Sequence, residues 1–110
     1  MAMTPEQIEI LEKAISRYGT RSQLDMAVEE SAELIQAINK LKRSGLVAYH
    51  ITKPNVAMGL KEIRAYNDLC SEVADVKIML KQMELMLCSE RIQISVDRKI
   101  NRLERRLNKK

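Results

Sequence analysis

Val-Glu-Glu-Ser-Ala-Glu-Leu-Ile-Gln-Ala-Ile, residues 28–38, is the stretch whose reading decides the fold, together with Ser-Glu-Val-Ala-Asp-Val-Lys-Ile-Met-Leu, residues 71–80. Each reads as the middle of a helix, and each carries two acids three residues apart, Glu30 with Glu33 and Glu72 with Asp75. Residues three apart on a helix are surface neighbours, so each pair sets two carboxylates side by side. Two such pairs facing each other make a cage of four carboxylates, and charge so concentrated is tolerable only around cations.

The helical phase of the acids sharpens this. At about 100° per residue, Leu69, Val73, Val76, Leu80, Met83 and Leu87 form the apolar stripe of the later helix, with Met79 and Met86 at its edge. Glu72 falls inside that stripe and Asp75 at its border. An uncompensated carboxylate there costs several kcal/mol, so Glu72 needs either a cation or a buried Lys or Arg. In the earlier helix the stripe is Leu24, Val28, Ile35 and Ile38, widened on one side by Ala27, Leu34 and Leu41. Glu30 stands at the edge of the widened side and Glu33 beyond it. Taken alone, these two also suit a solvated helix face.

Composition sets the frame. The 110 residues make one domain, 1–110, with a modest core. Apolar residues are 45% and the only aromatics are three Tyr, so that core is Leu, Ile, Val, Met and Ala. With three Gly and two Pro this predicts an all-α protein, a bundle of about four helices. No apolar run approaches the roughly 18 residues of a membrane span. The N-terminus carries no signal-peptide pattern, so a cytoplasmic location without membrane partners is expected, and Cys70 and Cys88 are expected to be free thiols.

Along the chain, Thr4 is the expected N-cap of a first helix, with Pro5 at its first position, Gln7 completing a capping box and Gly19 ending it after Tyr18. Ser22 is the expected cap of the second helix, which runs to about Arg43 before Gly45. Residues 46–66 read as a connection, with a short helix over about 55–64; its Tyr49, His50 and Tyr66 suit packing better than a site. The third helix is expected from Asn67 or Asp68 to Cys88, with Met79, Met83 and Met86 as core filler. Ser89 or Ser95 opens the last helix, whose seam is Val96, Ile100, Leu103 and Leu107. Residues 96–110 hold seven Lys or Arg and two acids, so the whole net charge of +4 comes from this tail. Lys99, Arg102 and Arg106 share one face there, open to reading as an anion-binding surface or as a solvated helix end.

The run Tyr18-Gly19, Gln23, Glu29-Glu30, Glu33-Leu34-Ile35-Gln36-Ala37, Lys40 and Arg43, followed by Glu72-Val73-Ala74-Asp75-Val76, Ile78-Met79-Leu80 and Gln82, resembles the MazG-like family of all-α nucleoside triphosphate pyrophosphohydrolases. The resemblance covers roughly residues 10–106 and is strongest to short single-domain members of phages and bacteria. A lone E-x-x-E is weak, but its pairing with a later E-x-A-D-V on an apolar helix is more specific. The resemblance implies that Glu30, Glu33, Glu72 and Asp75 hold magnesium ions bound to a nucleoside triphosphate substrate. It implies a role for Glu29 in orienting water or a second metal, and phosphate binding by Lys99, Arg102 and Arg106. It also implies a site completed by assembly into a homodimer or homotetramer.

The residue types suit that chemistry in their own right. Hydrolysis between the α and β phosphates needs negative charge neutralised, a water deprotonated and pyrophosphate stabilised, and carboxylate-held metal serves all three. Oxygen-only ligands favour Mg²⁺, or Mn²⁺ as substitute, over zinc. A carboxylate not fully used by metal, Glu33 or Glu29, is the expected catalytic base. The span from Glu33 to Glu72 is longer than in many compact members, and only Tyr18, Tyr49 and Tyr66 could stack on a base. Two other readings stand beside this one. One is a non-catalytic helical interaction or nucleic-acid-binding module using the basic C-terminal helix, against which scarce aromatics and the position of Glu72 argue. The other is a degenerate member that binds nucleotide without turnover.

Overall fold

Gly19 is where two helices meet. The computed structural model of the chain describes residues 2–45 and 58–109, and among these it contains four helices and no strand: α1 Pro5–Tyr18, α2 Thr20–Arg43, α3 Leu60–Met86 and α4 Ser89–Leu107. α1 opens as its sequence predicts. The Gln7 backbone N–H donates to the Thr4 hydroxyl, and the Thr4 N–H donates to the Gln7 side chain, a reciprocal capping box. Gly19 closes α1 at φ +88°, a backbone conformation for which a residue without Cβ is suited. The chain re-enters a helix at once, so Gly19 also occupies the N-cap of α2 and the expected cap at Ser22 lies inside the helix.

The third helix begins earlier than the sequence reading places it. Leu60 opens α3 directly after Gly59, so the separate short helix expected over 55–64 is, from residue 60 on, the first turn of α3. α3 ends at Met86, and the last helix starts at Ser89 rather than Ser95. Tyr66 is half-buried on α3, whereas Tyr49 and His50 lie outside the described residues. Both cysteines are free thiols on exposed positions. No helix is long and apolar enough to cross a membrane among the described residues.

α2 and α3 form the body of the fold, with α1 laid against both. They run antiparallel: Lys40 near the end of α2 pairs with Asp68 near the start of α3, while Gln23 and Gln82 line one hollow at the opposite end. The seam matches the expected stripes in part: Ala27, Leu34 and Leu41 on α2 and Leu69, Val76, Met79 and Met83 on α3 are buried or half-buried as read. On α2 the chain buries Gln23, Ala27, Ala37 and Leu41, with Glu30 and Leu34 half-buried between them, while Leu24, Val28, Ile35 and Ile38 are exposed. On α3 it buries Ala65, Met79 and Gln82, with Glu72 and Asp75 half-buried, while Val73, Leu80 and Leu87 are exposed. Gln23, Glu30 and Ala37 repeat every seven residues, as do Ala65, Glu72 and Met79, the spacing of a helix pair in coiled-coil register. Small side chains along that line let the helices approach. Leu41 and Met79 are buried with them, while Val28, Ile35, Val73 and Leu80 face outward.

α4 leaves the end of α3 and touches little else. Its seam residues Val96, Ile100, Leu103 and Leu107 are all exposed, the last at 75%. The radius of gyration is 17.3 Å, against about 13 Å for a compact domain of this length. No large side chain among the described residues is fully buried. A single copy thus leaves three apolar helix faces in water.

Candidate functional site

The register of the α2–α3 seam is what assembles the acids. Heptad positions on α2 carry Glu30 to the interface, and the facing positions of α3 carry Glu72 and Asp75. One carboxylate oxygen from each of these three lies within 4.8 Å of the others. The inner oxygens Oε2 of Glu30 and of Glu72 are shut off from solvent and have no hydrogen-bond partner among the described residues, although each side chain as a whole is only half-buried. Among the described residues the ion pairs are Lys13–Glu9, Lys40–Asp68 and Lys81–Glu84, so none brings a cation to this cluster. Among the described residues no buried Lys or Arg pairs with Glu72 to make it an ordinary structural acid.

The electrostatics follow from that crowding. Burial, then the charges of Asp75, Glu33 and Glu72, raise the Glu30 carboxyl above its ordinary value. Burial also leads for Glu72, followed by the charges of Glu33, Asp75 and Asp68, in the same direction. Glu30 lies beside Asp75, and Glu72 beside Glu33. Once both members of a pair are ionised, neither has a donor to offer. The fit to a hard cation is good: three carboxylates converge, two of them carrying an orphaned oxygen, with no sulfur or nitrogen among the ligand atoms.

Glu33 sits at the margin. It is exposed and lies outside the convergent group of three, but it is near enough to raise both Glu30 and Glu72. It lines a groove of about 650 Å³ together with Glu72, Gln36, Asn39, Lys40 and Arg43. Lys40 and Arg43 follow Glu33 by seven and ten residues, hence on the same side of α2. That spacing is legible in the sequence, whereas the resemblance implies phosphate binding by Lys99, Arg102 and Arg106 instead. Lys99 lines a separate hollow at the α3–α4 junction with Leu87, Arg91 and Val96, and no α4 residue lines the grooves beside the acids. Glu29 is exposed and lines none of these grooves.

On the other side of the acids a smaller hollow of about 370 Å³ is bounded by Tyr18, Gln23, Met26, Ile78, Met79 and Gln82, with Glu30 and Asp75 at its inner end. The cluster therefore lies between a polar, partly cationic groove and a mainly apolar one. The chain matches no family model, no curated protein and no solved structure.

Proposed function

We propose that this chain is a Mg²⁺-dependent hydrolase of the MazG-like, all-α kind, converting a nucleoside triphosphate to the monophosphate and pyrophosphate. The observation that carries the reading is the convergence of Glu30, Glu72 and Asp75 from two helices, with two inner oxygens unpartnered and no basic side chain paired with these acids among the described residues. Such a cluster works against the fold unless a cation joins it. Glu30, Glu72 and Asp75 would hold Mg²⁺, or Mn²⁺ in its place, with Glu33 joining from the groove side. When bound, the metal supplies charge neutralisation at the phosphates and a more acidic water.

The chain's own groups divide the remaining work. Glu33, exposed at the groove edge, is placed to accept the proton of the attacking water through a carboxylate oxygen. Glu29, one position before Glu30, is the second choice for that role. Lys40 and Arg43 face the same groove and would hold phosphate oxygens that the metal leaves uncovered. Lys99, Arg102 and Arg106 would act on phosphate from a second copy of the chain. A homodimer or homotetramer also covers the apolar faces of α2, α3 and α4 that a single copy leaves in water.

The test is pyrophosphate release from canonical, deoxy and modified nucleoside triphosphates, with Mg²⁺ and with EDTA, in wild type and Glu72→Gln. Release that needs Mg²⁺ and is lost in a still-helical variant is the expected result. No release from any triphosphate overturns the hydrolase reading. Metal-dependent nucleotide binding would then identify a binding protein, and salt-sensitive DNA binding that persists in EDTA a module working through α4.

A further inference from the structure

The hollow on the α1 side of the acids has a feature that packing does not explain. Gln82 is 4% exposed and Gln23 5% exposed, and both line it. The Oε1 atom of Gln82 is sealed from solvent and has no hydrogen-bond partner among the described residues. A buried amide oxygen left unpaired weakens the fold, and a leucine at that position would not. Gln23 precedes Glu30 by seven residues and Gln82 follows Asp75 by seven. Because α2 and α3 are antiparallel, the two amides stand at the same end of the seam, each roughly 10 Å along its helix from the acid. That separation is comparable with the reach from a 5′ phosphate to the far edge of a nucleobase.

The rest of the lining matches a flat, uncharged occupant. Met26, Ile78 and Met79 supply apolar walls, and Tyr18 stands at the mouth, 60% exposed. No lysine or arginine lines the hollow, whereas two line the opposite groove, so a phosphate tail belongs on the other side of the acids. We infer that this hollow seats the nucleobase of the substrate, with the side-chain amides of Gln82 and Gln23 meeting its hydrogen-bonding edge once the sealed Gln82 amide turns into the hollow, and Tyr18 covering its face. The inference rests on the hydrolase reading and adds the residues that choose the base. An amide presents a donor beside an acceptor, so two amides select a heterocycle whose edge offers the complementary pair, and they penalise bases that leave an amide group unpaired.

The test separates base recognition from tail binding. The α,β-methylene analogues of the nucleoside triphosphates and inorganic tripolyphosphate are titrated calorimetrically in Mg²⁺ into wild type, Gln82→Leu, Gln82→Met and Gln23→Leu, with thermal melts of each. Wild type is expected to bind the preferred nucleotide at least about tenfold more tightly than tripolyphosphate. The Gln82 variants are expected to bring that ratio to within about twofold while melting no lower than wild type, since the unpaired amide is gone. Gln23→Leu reports from the other helix should either Gln82 variant fail to fold. An unchanged ratio in the folded variants, or a wild type that binds nucleotides and tripolyphosphate alike, overturns the base pocket and leaves the hydrolase reading standing. A wild type that binds neither overturns both.

Discussion

Glu30 on α2 and Asp75 on α3 bring a carboxylate oxygen each to within 4.8 Å of the other, and neither has an ion-pair partner among the described residues. Glu72 joins them at the same spacing. Three ionised carboxylates so placed repel one another in a partly dry seam, and the same geometry turns favourable when a small divalent cation sits among them. Cation binding is accordingly the most direct consequence. Titration of the wild-type chain with Mn²⁺, followed by the paramagnetic signal of the free ion, should show saturable binding. Glu72→Gln should weaken it by at least about tenfold, the scale seen even for groups that only support a metal ligand. Glu9→Gln, on the exposed face of α1, should leave it unaltered; equal binding in Glu72→Gln would remove the cluster from consideration.

The raised carboxyls give the metal-free protein a particular dependence on pH. A group whose pKa rises on folding stabilises the fold in its protonated form. That contribution is complete below the unfolded value of about 4.5 and is lost as pH climbs through the folded one. In EDTA the melting temperature should therefore fall as pH rises from about 4.5 towards neutrality, to an extent set by Glu30 and Glu72. Mg²⁺ should restore it at neutral pH, where the acids are ionised and bound. Glu72→Gln should flatten the slope and melt higher than wild type in EDTA. A melting temperature that rises with pH in EDTA would contradict the assignment.

Lys40 and Arg43 share their groove with Glu33 and Glu72, and Lys40 Nζ lies 3.7 Å from Asp68 Oδ2 in an exposed pair. Exposed ion pairs of this kind contribute little to stability, so the lysine is available to a ligand. Lys40→Ala and Arg43→Ala should each raise KM for the triphosphate by about tenfold, with a smaller change in kcat, because charge-assisted contacts to the ground-state tail are lost. Circular dichroism should show no loss of helix. Kinetics indistinguishable from wild type would return the phosphate contacts to α4.

Packing predicts a contrast between apolar residues of similar size. Leu41 and Met79 are each 6% exposed, and replacing either by Ala should cost about 2–5 kcal/mol. Val28 and Leu107 are 70% and 75% exposed, so Val28→Ala and Leu107→Ala should lie within about 0.5 kcal/mol in a single copy. Chemical denaturation measures both.

Assembly supplies a second check on the same faces. If the chain forms the proposed homodimer or homotetramer, the cost of Val28→Ala and Leu107→Ala grows and the melting temperature falls on dilution. Light scattering on Ile35→Glu and Leu103→Glu should then report a single copy. Scattering from wild type that already reports a single copy would remove the oligomer from the proposal.

The sequence by itself determined the four helices and the acids they carry. Thr4, Pro5 and Gln7 start α1, Gly19 and Gly45 interrupt the chain, and these local signals act through backbone sterics and hydrogen bonds within a few residues. The three-residue spacing of each acid pair, and the presence of Glu72 on an apolar helix, were likewise legible before any fold was known. The seam was not. Hydrophobic periodicity weights large side chains, and on α2 and α3 it mixes two sets: Val28, Ile35, Val73 and Leu80 face outward, while Leu41 and Met79 are buried with Gln23, Ala27, Ala37, Ala65 and Gln82. A pattern within one helix records every surface that the helix will cover, in its own chain or in another. Only the tertiary structure decided which of those surfaces meets α3, and with it that Glu30, Glu72 and Asp75 converge and that two glutamines stand beside them.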